Sequence, residues 1–485
     1  MRGVHSVDEV RAAEATALAS AGADLMLRAA TGLAATCAEL LAGHAGGVYG
    51  RRVVLLVGSG NNGGDALFCG AQLADRGARV SVVPVAGSMH AAGTAEAVRR
   101  GARVVEVAEA ESELVDADLV VDGILGIGGR GDLREPARAL AALATDSEAL
   151  VVAVDLPSGV DADTGAADDS AVWADVTVTF GLMKPGLLLQ PGAMHAGLVE
   201  LVDIGLVEHA VVPSMSCLDN DDVAGLLPHP GPLDHKYTLG VAGLVAGSPA
   251  YAGAAVLAVG GAVSATPGLV RYVGAAAADV VTAWPSAIVS RGSIHDAGRV
   301  QAWGIGPGLG LDDVARHALD EVLREPLPAV VDADALTLLA GDLDLVRHRS
   351  AETVLTPHAT EFARIAPDLD PTSSAGGVVT AARTLAARLG CTVLLKGATT
   401  VVAAPDGQVR FNLTGTPWLA TGGTGDVLTG VVTALLASGL GGFDAASAGA
   451  YLHGIAGRIA SDGAPTTADA VARALPAAVR AVQHP

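Results

Sequence analysis

The sequence predicts an α/β protein of two domains, each a sandwich of a largely parallel sheet between helices. Short apolar runs repeatedly give way to a glycine-rich turn and then to a helical pattern, which is the order of βαβ units. Polar residues directly follow several of these runs, at the sheet edge where ligands bind in open α/β folds. Residues 206–234, rich in Pro, Ser and acids, interrupt this order. We therefore place the boundary there, with domains at 1–212 and 213–485.

Composition limits the partners that the chain can have. Its 485 residues are 51% apolar and only 3% aromatic, and the net charge is −22. An acidic chain argues against nucleic acid and anionic membrane surfaces as partners. The four cysteines lie far apart without a Cys-x-x-Cys pair, which predicts reduced thiols rather than disulfides or a zinc site. The N-terminus is charged and no apolar run approaches the length of a membrane span, so we expect a cytoplasmic protein.

The chain opens with two helical patterns between residues 6 and 44, separated by the turn AGAD at 21–24. Ser6 can cap the first helix. We expect this segment to serve as a scaffold or as a contact between subunits.

A βαβ unit follows, with a strand at 53–57, a glycine-rich turn, a helix at 65–76 and a second strand at 79–85. The turn reads GSGNNGGD and lacks the G-x-G-x-x-G spacing of dinucleotide-binding loops. Asn62 could offer its amide oxygen to a cation. The alternative is that Asn and Gly only form the tight turn.

Further strands in this half also end in polar residues. Asp122 follows one apolar strand, a second glycine-rich loop at 126–132 carries Arg130, and Asp155 ends another strand before the turn Pro-Ser-Gly. Lys184 lies just past a further strand. Any one of these acids could cap a helix, but several at one sheet edge predict a site.

In the second half, successive strands or turns lead to Gly308, Asp332, His358, Lys396 and Asp426. This predicts one cleft along the sheet edge. Asp426 lies in the stretch GTPWLATGGTGDVLTG at 415–430, which has the form of an anion-binding helix N-terminus. Lys396 could neutralise phosphates, and Asp426 could take the proton of a substrate hydroxyl. Phosphoryl chemistry on a hydroxyl with an adenine nucleotide is the resulting hypothesis.

Two simpler interpretations remain open for these residues. Asp426 could be an ordinary helix N-cap beside glycine turns. His358 taken alone is typical of a packed or capping histidine rather than a catalyst.

Nine motifs carry a resemblance to known families. GPGLG, DADAL, LTPHATEFARI, VLLKGATTVVA and TGGTGDVLTG, in this order, resemble the ADP-dependent NAD(P)H-hydrate dehydratases of the ribokinase-like superfamily. GSGNNGGDAL, VVDGILGIGGRGDLREP, VDLPSG and TFGLMKPGL resemble the NAD(P)H-hydrate epimerase domain. The resemblance implies a Rossmann-like three-layer sandwich followed by a ribokinase-like α/β domain, in the order of the bifunctional repair enzymes.

The resemblance also implies an activity with its cofactors and residues. Hydrated NADH and NADPH would be epimerised between R and S forms, and the S form dehydrated with ADP or ATP, K⁺ in the epimerase domain and Mg²⁺. Homo-oligomers are expected. The implied catalytic acids are Asp155 and Asp426, and the implied K⁺ ligands are Asn62, Asp122 and Ser158. Hydrate contacts fall on Asn61, Asn62, Gly63, Gly64, Asp65, Gly126, Ile127, Gly128, Gly129, Arg130, Gly131, Asp132, Asp155, Ala254, Gly308, His358 and Asp426. Nucleotide contacts fall on Lys396, Gly397, Ala398, Thr399, Thr400 and Gly425.

One segment departs from the dehydratase pattern. Residues 262–270 read AVSATPGLV, where similar sequences often carry an Arg, and Arg271 could replace that charge. A small-molecule kinase of hydroxymethylpyrimidine type is the alternative activity. A third hypothesis treats the N-terminal domain as a protein-interaction module.

Overall fold

The computed structural model describes residues 1–21, 24–129, 131–265, 268–371 and 377–483. The chain divides into two compact units. One spans Gly3–Pro213, and the other spans Ser214–Pro485 together with Met1 and Arg2. We refer to them as the N-terminal and C-terminal units.

Up to Pro213 the chain alternates strands and helices. The strands are β1 (Arg2–Val4), β2 (Arg52–Val57), β3 (Arg79–Pro84), β4 (Arg103–Val104), β5 (Leu119–Gly123), β6 (Leu150–Val154), β7 (Val176–Phe180) and β8 (Leu198–Val202). The helices are α1 (Val7–Ala21), α2 (Leu25–Ala45), α3 (Asn61–Asp75), α4 (Ala91–Arg99), α5 (Ala110–Val115), α6 (Ala137–Asp146) and α7 (Gly192–Ala196).

The N-terminal unit is a three-layer sandwich around one parallel sheet. Its strands lie in the order β4-β3-β2-β5-β6-β7-β8, and each neighbouring pair is parallel. Alternate residues of β2 enter different cores: Val53, Leu55 and Val57 pack with α1 to α3, whereas Val54 and Leu56 pack with α5 and α6. A strand buried on both faces reads as a continuous apolar run, which is why the sequence indicates it clearly.

Helix α2 differs from expectation in its apolar character. By length and composition alone it could cross a membrane, with a mean hydropathy of 1.4 over its most apolar window. The prediction that no apolar run approaches the length of a membrane span was therefore wrong, because α2 has few charged residues among many alanines and glycines. Leu33, Cys37 and Leu41 of α2 are nevertheless fully buried in the core of the unit.

The C-terminal unit has ten further strands and eleven helices within the described ranges. The strands are β9 (Met215–Cys217), β10 (Val241–Val245), β11 (Leu269–Val273), β12 (Ile288–Ser290), β13 (Ala302–Ile305), β14 (Ala329–Val331), β15 (Thr353–Leu355), β16 (Thr392–Leu395), β17 (Thr400–Ala403) and β18 (Val409–Asn412). The helices are α8 (Asn220–Leu226), α9 (Ala252–Ala265), α10 (Ala277–Ala283), α11 (Asp313–Arg324), α12 (Ala333–Leu339), α13 (Asp344–Arg347), α14 (Ala359–Ile365), α15 (Gly377–Leu389), α16 (Thr424–Ala437), α17 (Gly442–Ser461) and α18 (Ala468–Gln483).

These strands form a mixed sheet in the order β9-β18-β17-β16-β15-β14-β13-β10-β11-β12. From β16 to β12 every neighbouring pair is parallel, while β17 is antiparallel to both of its neighbours. One face of the sheet packs against α9 and α16 to α18. The strands β13 to β16 therefore end side by side at one edge, as the sequence predicted.

Candidate active sites

Asp155, at the end of β6, is the central acid of the N-terminal unit. It is buried and its backbone is left-handed, with φ of 65°, a region in which Asp is more readily tolerated than most side chains. Its Oδ1 accepts a hydrogen bond from Lys184 Nζ at 2.6 Å and from Thr179 Oγ1 at 3.1 Å. Because these bonds end on Oδ1, that oxygen is fixed in place and Oδ2 is the one available to a ligand.

Two further carboxyls face Asp155. Asp65, in α3, is buried, and its Oδ1 has no hydrogen-bond partner in the described part of the chain. Burial, followed by the charges of Asp155 and Glu14, raises the pKa of Asp65 to about 8. Burial and the charge of Asp155 also raise the pKa of Glu14, on α1. The cluster therefore holds at least one proton at neutral pH.

The three residues predicted to hold a cation lie around the start of the loop after β5. Fully buried Asp122 accepts from Ser158 Oγ at 2.7 Å and from Ser158 N at 2.8 Å. Burial raises the pKa of Asp122 to about 6, against the hydrogen bonds that lower it. Leu125 connects Asn62 with Ser158. Its N–H donates to Ser158 Oγ at 2.8 Å, and its carbonyl accepts from Asn62 Nδ2 at 3.0 Å.

Most of the glycine-rich stretch that the sequence assigned to a turn belongs to helix α3. The helix begins at Asn61, with Gly60 as its N-cap, four residues before the predicted start at 65. The glycines serve close packing, since a Cβ at Gly63 would lie 2.3 Å from the carbonyl oxygen of Gly58. Residues Asn61, Asn62, Gly63, Gly64 and Asp65 thus form the first turn and a little more of α3.

The second glycine-rich loop lies opposite that first turn. A Cβ at Gly126 would lie 2.9 Å from Asn62 Oδ1, and Gly129 N donates to the Gly126 carbonyl at 2.8 Å. Ile127 packs on the edge of the core, Gly131 has φ of 71°, and the neighbouring Asp168 raises the pKa of Asp132. Arg130 lies outside the described residues.

In the C-terminal unit, Asp426 belongs to the first turn of α16. The N-cap of this helix is Gly423, with φ of 91° and no side-chain cap. The interpretation of Asp426 as the N-cap was therefore wrong. Because a glycine caps the helix, the N–H groups of its first turn receive no side-chain acceptor from the cap and can meet an anion.

A partly buried ion pair lies beside this turn. Lys396 Nζ donates to Asp332 Oδ1 at 2.7 Å, and Asp332 Oδ2 accepts from Thr429 Oγ1 at 2.7 Å. Glu361 Oε2 lies 3.7 Å from the same ammonium. A Cβ at Gly425 would lie 3.5 Å from Lys396 Nζ, so glycine keeps the space over the ion pair open.

These charges determine the protonation of Asp426. Burial and then Asp332 raise its pKa to about 7, while Lys396 lowers it and Asp334 and Glu361 add to the rise. A carboxyl with a pKa near neutrality can both take and return a proton under physiological conditions.

His358 caps helix α14. The ring Nδ1 of His358 accepts a hydrogen bond from Thr360 N at 3.1 Å. The backbone N–H of His358 donates to Glu361 Oε2 at 2.8 Å, which completes a capping box. The capping interpretation is confirmed. The ring remains half exposed, and its Nε2 lies 3.5 Å from Glu361 Oε1, so contact with a hydrate stays a prediction.

The other predicted residues lie at neighbouring strand ends. Gly308 follows β13 with φ of 58°, and a Cβ there would lie 2.7 Å from the Cβ of Ala254 on α9. Residues Lys396, Gly397, Ala398 and Thr399 form the turn between β16 and β17, and Thr400 begins β17. Arg271, considered as a replacement for a missing charge, donates to the Ala297 carbonyl.

Sequence reasoning missed several of the groups that shape these sites. Lys184 and Asp332 were noticed only as residues at strand ends, and Glu14 was not singled out. The signal for Lys184 was a lone cation behind an apolar strand. His453, on α17, was also missed: it is buried, its Nε2 has no hydrogen-bond partner among the described residues, and burial lowers its pKa to about 4.

Comparison with known proteins matches both halves of the chain. A family model described as NAD(P)H-hydrate dehydratase matches residues 242–476. A second, described as YjeF-related protein N-terminus, matches residues 22–186.

Curated relatives extend over nearly the full length. A bifunctional NAD(P)H-hydrate repair enzyme of Mycobacterium tuberculosis (strain CDC 1551 / Oshkosh) is 50% identical over 452 residues, which cover 92% of each chain. Its counterpart from Mycobacterium leprae (strain TN) is 48% identical over 457 residues, 93% of each chain.

A solved structure supports the fold of the second half. A ribokinase-like superfamily protein from Enterococcus faecalis V583 is 24% identical, has a TM-score of 0.50, and covers 57% of this chain and 99% of its own. The Rossmann-like and ribokinase-like folds expected from the sequence are thus confirmed. On the identity and coverage of its curated relatives, the chain belongs to the family of bifunctional NAD(P)H-hydrate repair enzymes.

Proposed function

We propose that this protein repairs NADH and NADPH whose nicotinamide ring has been hydrated. The epimerase domain, residues 1–212, interconverts the R and S hydrates. The dehydratase domain, residues 213–485, removes water from the S hydrate at the expense of ADP or ATP. The observation that carries the proposal is Asp426, a carboxyl with a pKa of about 7 in the first turn of α16, beside the Asp332–Lys396 ion pair.

Asp426 acts as the base of dehydration. It takes the proton of the ring hydroxyl as that oxygen attacks the terminal phosphoryl group of the nucleotide, whose bridging P–O bond breaks to release AMP from ADP or ADP from ATP. The C–O bond of the resulting phosphate ester then breaks, and phosphate leaves with the oxygen. Loss of a proton from the neighbouring carbon restores the ring double bond. Ala254, Gly308 and His358 line the hydrate side in this proposal.

The nucleotide binds along the turn between β16 and β17 and the start of α16. Its contacts are Lys396, Gly397, Ala398, Thr399, Thr400 and Gly425. The open space over Gly425 and the N–H groups of α16 support phosphate binding there. Lys396 supplies a positioned positive charge, held by Asp332 rather than free.

Mg²⁺ would accompany the nucleotide. The described residues contain no group of three or more His, Cys, Asp or Glu side chains that could hold a metal. This fits Mg²⁺ held mainly by phosphates and water with one or two carboxylates, as is usual for that ion. The ion would neutralise charge on the transferred phosphoryl group.

K⁺ would bind in the epimerase domain through Asn62, Asp122 and Ser158. The oxygen atoms near Leu125 that could bind the cation belong to an amide, a buried carboxylate and a hydroxyl, which suit a hard monovalent cation. The ion would offset the buried charge of Asp122. Asp155 is the acid that moves a proton at the hydrate, with Asn61 to Asp65 and Gly126 to Asp132 around the substrate.

The alternative activity, a kinase of the ribokinase superfamily acting on a small hydroxylated molecule, has less support. The nucleotide side of the site would serve either reaction. The match of the N-terminal unit to its own family model and the full-length relatives favour the repair reaction.

The test gives purified protein mixed NADH hydrates with ADP, Mg²⁺ and K⁺, and follows the return of dihydronicotinamide absorbance. Asp426→Asn should lower dehydration at least about a hundredfold, as expected for loss of a general base, and leave exchange of epimers intact. Asp155→Asn should slow use of the R hydrate only. Asn suits the left-handed backbone at 155. Absence of recovery from either epimer by the unaltered protein would refute the proposal.

The proposal also covers where the protein is located and how it assembles. We propose a cytoplasmic protein with small-molecule partners, since all four cysteines are free and buried. We also propose a homo-oligomer, supported by the exposed Leu18 of α1 and Leu27 of α2. Light scattering on the purified chain tests the second point, and a monomeric mass would exclude it.

A further inference from the structure

Helix α1 precedes residues 22–186, which match the family model of the YjeF-related N-terminus, and the sequence predicted only a scaffold or subunit contact for this helix. Its buried face consists of Val7, Val10, Ala13 and Ala17, of which the last three join the core below the sheet. The adjoining charged residues Arg11 and Glu14 lie one helical turn apart, and so point in nearly the same direction.

The chain before α1 is attached beside the Asp155 site. Val4 forms a bridge with Met183, and His5 N donates to the Met183 carbonyl at 2.8 Å, one residue from Lys184. Val7 N donates to Asp163 Oδ1 at 2.8 Å. These bonds fix the start of the helix against the loops that follow β6 and β7.

The charged side of α1 faces the proposed substrate loops. Arg11 Nη2 lies 3.9 Å from the position that a Cβ would take at Gly128. Glu14 interacts electrostatically with Asp155 and Lys184. Helix α1 therefore forms a wall of this site, with a guanidinium at the glycine loop and a carboxyl at the reacting acid.

The charges of the described residues around the site, which do not include Arg130 of the glycine loop, leave an anionic ligand short of a positive partner. Glu14, Asp65 and Asp155 supply carboxyls, whereas a hydrated dinucleotide brings an anionic diphosphate. Lys184 is 1% exposed, and its ammonium donates to Asp155, to Thr179 and to the Phe180 carbonyl. Since an ammonium has three N–H donors, Lys184 has none left for phosphate. Arg11 is exposed and adjoins the loop.

We propose that Arg11 binds a phosphate group of the hydrated dinucleotide in the epimerase site. The inference rests on the proposed epimerase function. The phosphate is either the diphosphate shared by NADH and NADPH hydrates or the 2′-phosphate that only the NADPH hydrate carries. A guanidinium suits both through paired N–H donors.

The experiment measures conversion of the pure R hydrates to S by the full chain without ADP, so that dehydration cannot proceed. Arg11→Ala should raise KM about tenfold, as for loss of one charged hydrogen bond, with kcat nearly unchanged. Arg11→Lys should recover part of the loss. Arg99→Ala is the matched control, because Arg99 is also an exposed helical arginine, and it pairs with Glu96.

Comparison of the NADH hydrate with the NADPH hydrate distinguishes the diphosphate from the 2′-phosphate. A rise in KM for both hydrates assigns Arg11 to the diphosphate, and a rise for the NADPH hydrate alone assigns it to the 2′-phosphate. An unchanged KM for both in Arg11→Ala, while the unaltered protein exchanges the epimers, overturns this inference and leaves the proposed function standing. If the unaltered protein exchanges no epimers, the proposed function itself fails. Dehydration of the S hydrate with ADP, which takes place in the other unit, should stay normal in Arg11→Ala, and thermal unfolding equal to that of Arg99→Ala shows that the N-terminal unit of the variant is folded.

Discussion

Buried carboxyls dominate both sites at the scale of single residues, but their surroundings differ. Asp155 has a direct ammonium partner in Lys184 at 2.6 Å. Burial and three nearby acids raise the pKa of Asp426 to about 7, although one nearby lysine acts in the opposite direction. Asp65 has no hydrogen bond on its Oδ1 among the described residues, and its pKa rises to about 8. The raised pKa values of Asp426 and Asp65 each lead to a measurable dependence on pH.

The rate of dehydration should fall as the pH drops below about 7. A base must be deprotonated to work, and the raised pKa of Asp426 means that its carboxylate form is lost as pH falls through that value. We expect kcat/KM for the S hydrate to level off above pH 8. Asp334→Asn should move the acidic limb to lower pH, because Asp334 contributes to the rise. A flat profile between pH 6 and 8 would contradict the assigned base.

Asp65→Asn should stabilise the N-terminal unit at alkaline pH. The pKa of Asp65 is raised to about 8 in the fold, mainly by burial, from its ordinary value of 3.8. The native state thus binds the extra proton between these values, and stability falls as pH rises through this window. Removing the acid should raise the free energy of unfolding at pH 8.5 by at least about 1 kcal/mol. Thermal unfolding at pH 6 and 8.5 measures this, with exposed Glu39→Gln on α2 as control. Equal effects of both variants would count against it.

Close contact of two helices builds the dehydratase site at the scale of secondary structure. Helix α9 carries Ala254 and α16 carries Asp426, so their spacing determines the hydrate side of the cleft. A Cβ at Gly430 would lie 1.9 Å from the Ala258 carbonyl oxygen, and one at Gly261 would lie 2.1 Å from the Val427 carbonyl oxygen. Only glycine allows the two backbones to approach this far.

Gly430→Ala should therefore destabilise the C-terminal unit by about 3 kcal/mol or more, since overpacking against backbone cannot be relieved by a rotamer change. Gly253→Ala is the matched control on α9, because a Cβ there meets no atom within 4 Å. Alanine should be neutral or slightly stabilising at that position. Urea unfolding of the two variants gives the comparison, and similar midpoints would disprove the packing argument.

Boundaries of elements were less predictable than the elements themselves. The sequence placed the first helix of the βαβ unit at 65–76, whereas α3 spans Asn61–Asp75. Glycines and asparagines are typical of turns, so a local pattern assigns them to the loop. In the fold, contact with Gly58 favours glycine inside the helix, and this contact is invisible in the sequence.

At the scale of the whole molecule, each unit has its own sheet, core and candidate site. We therefore expect that the two activities can be lost separately.

A mixture of Asp155→Asn and Asp426→Asn proteins should recover repair of mixed hydrates close to the unaltered rate at equal site concentration. Each variant keeps one intact site, and the hydrate can diffuse between molecules. The measurement is absorbance recovery for each variant alone and for the mixture. A mixture no faster than Asp155→Asn alone would show that the R hydrate must be converted and dehydrated within one molecule.

The sequence by itself determined the two α/β domains, most of their strands and most polar residues at the strand ends. Apolar runs and glycine turns are local signals, and parallel strands bring their ends to one edge. Only the tertiary structure decided the charge state of Asp426, the pairing of Lys396 with Asp332, and the approach of Arg11 and Glu14 to the epimerase site. These depend on burial and on charges from residues far apart in the chain, and both arise only when the chain is packed.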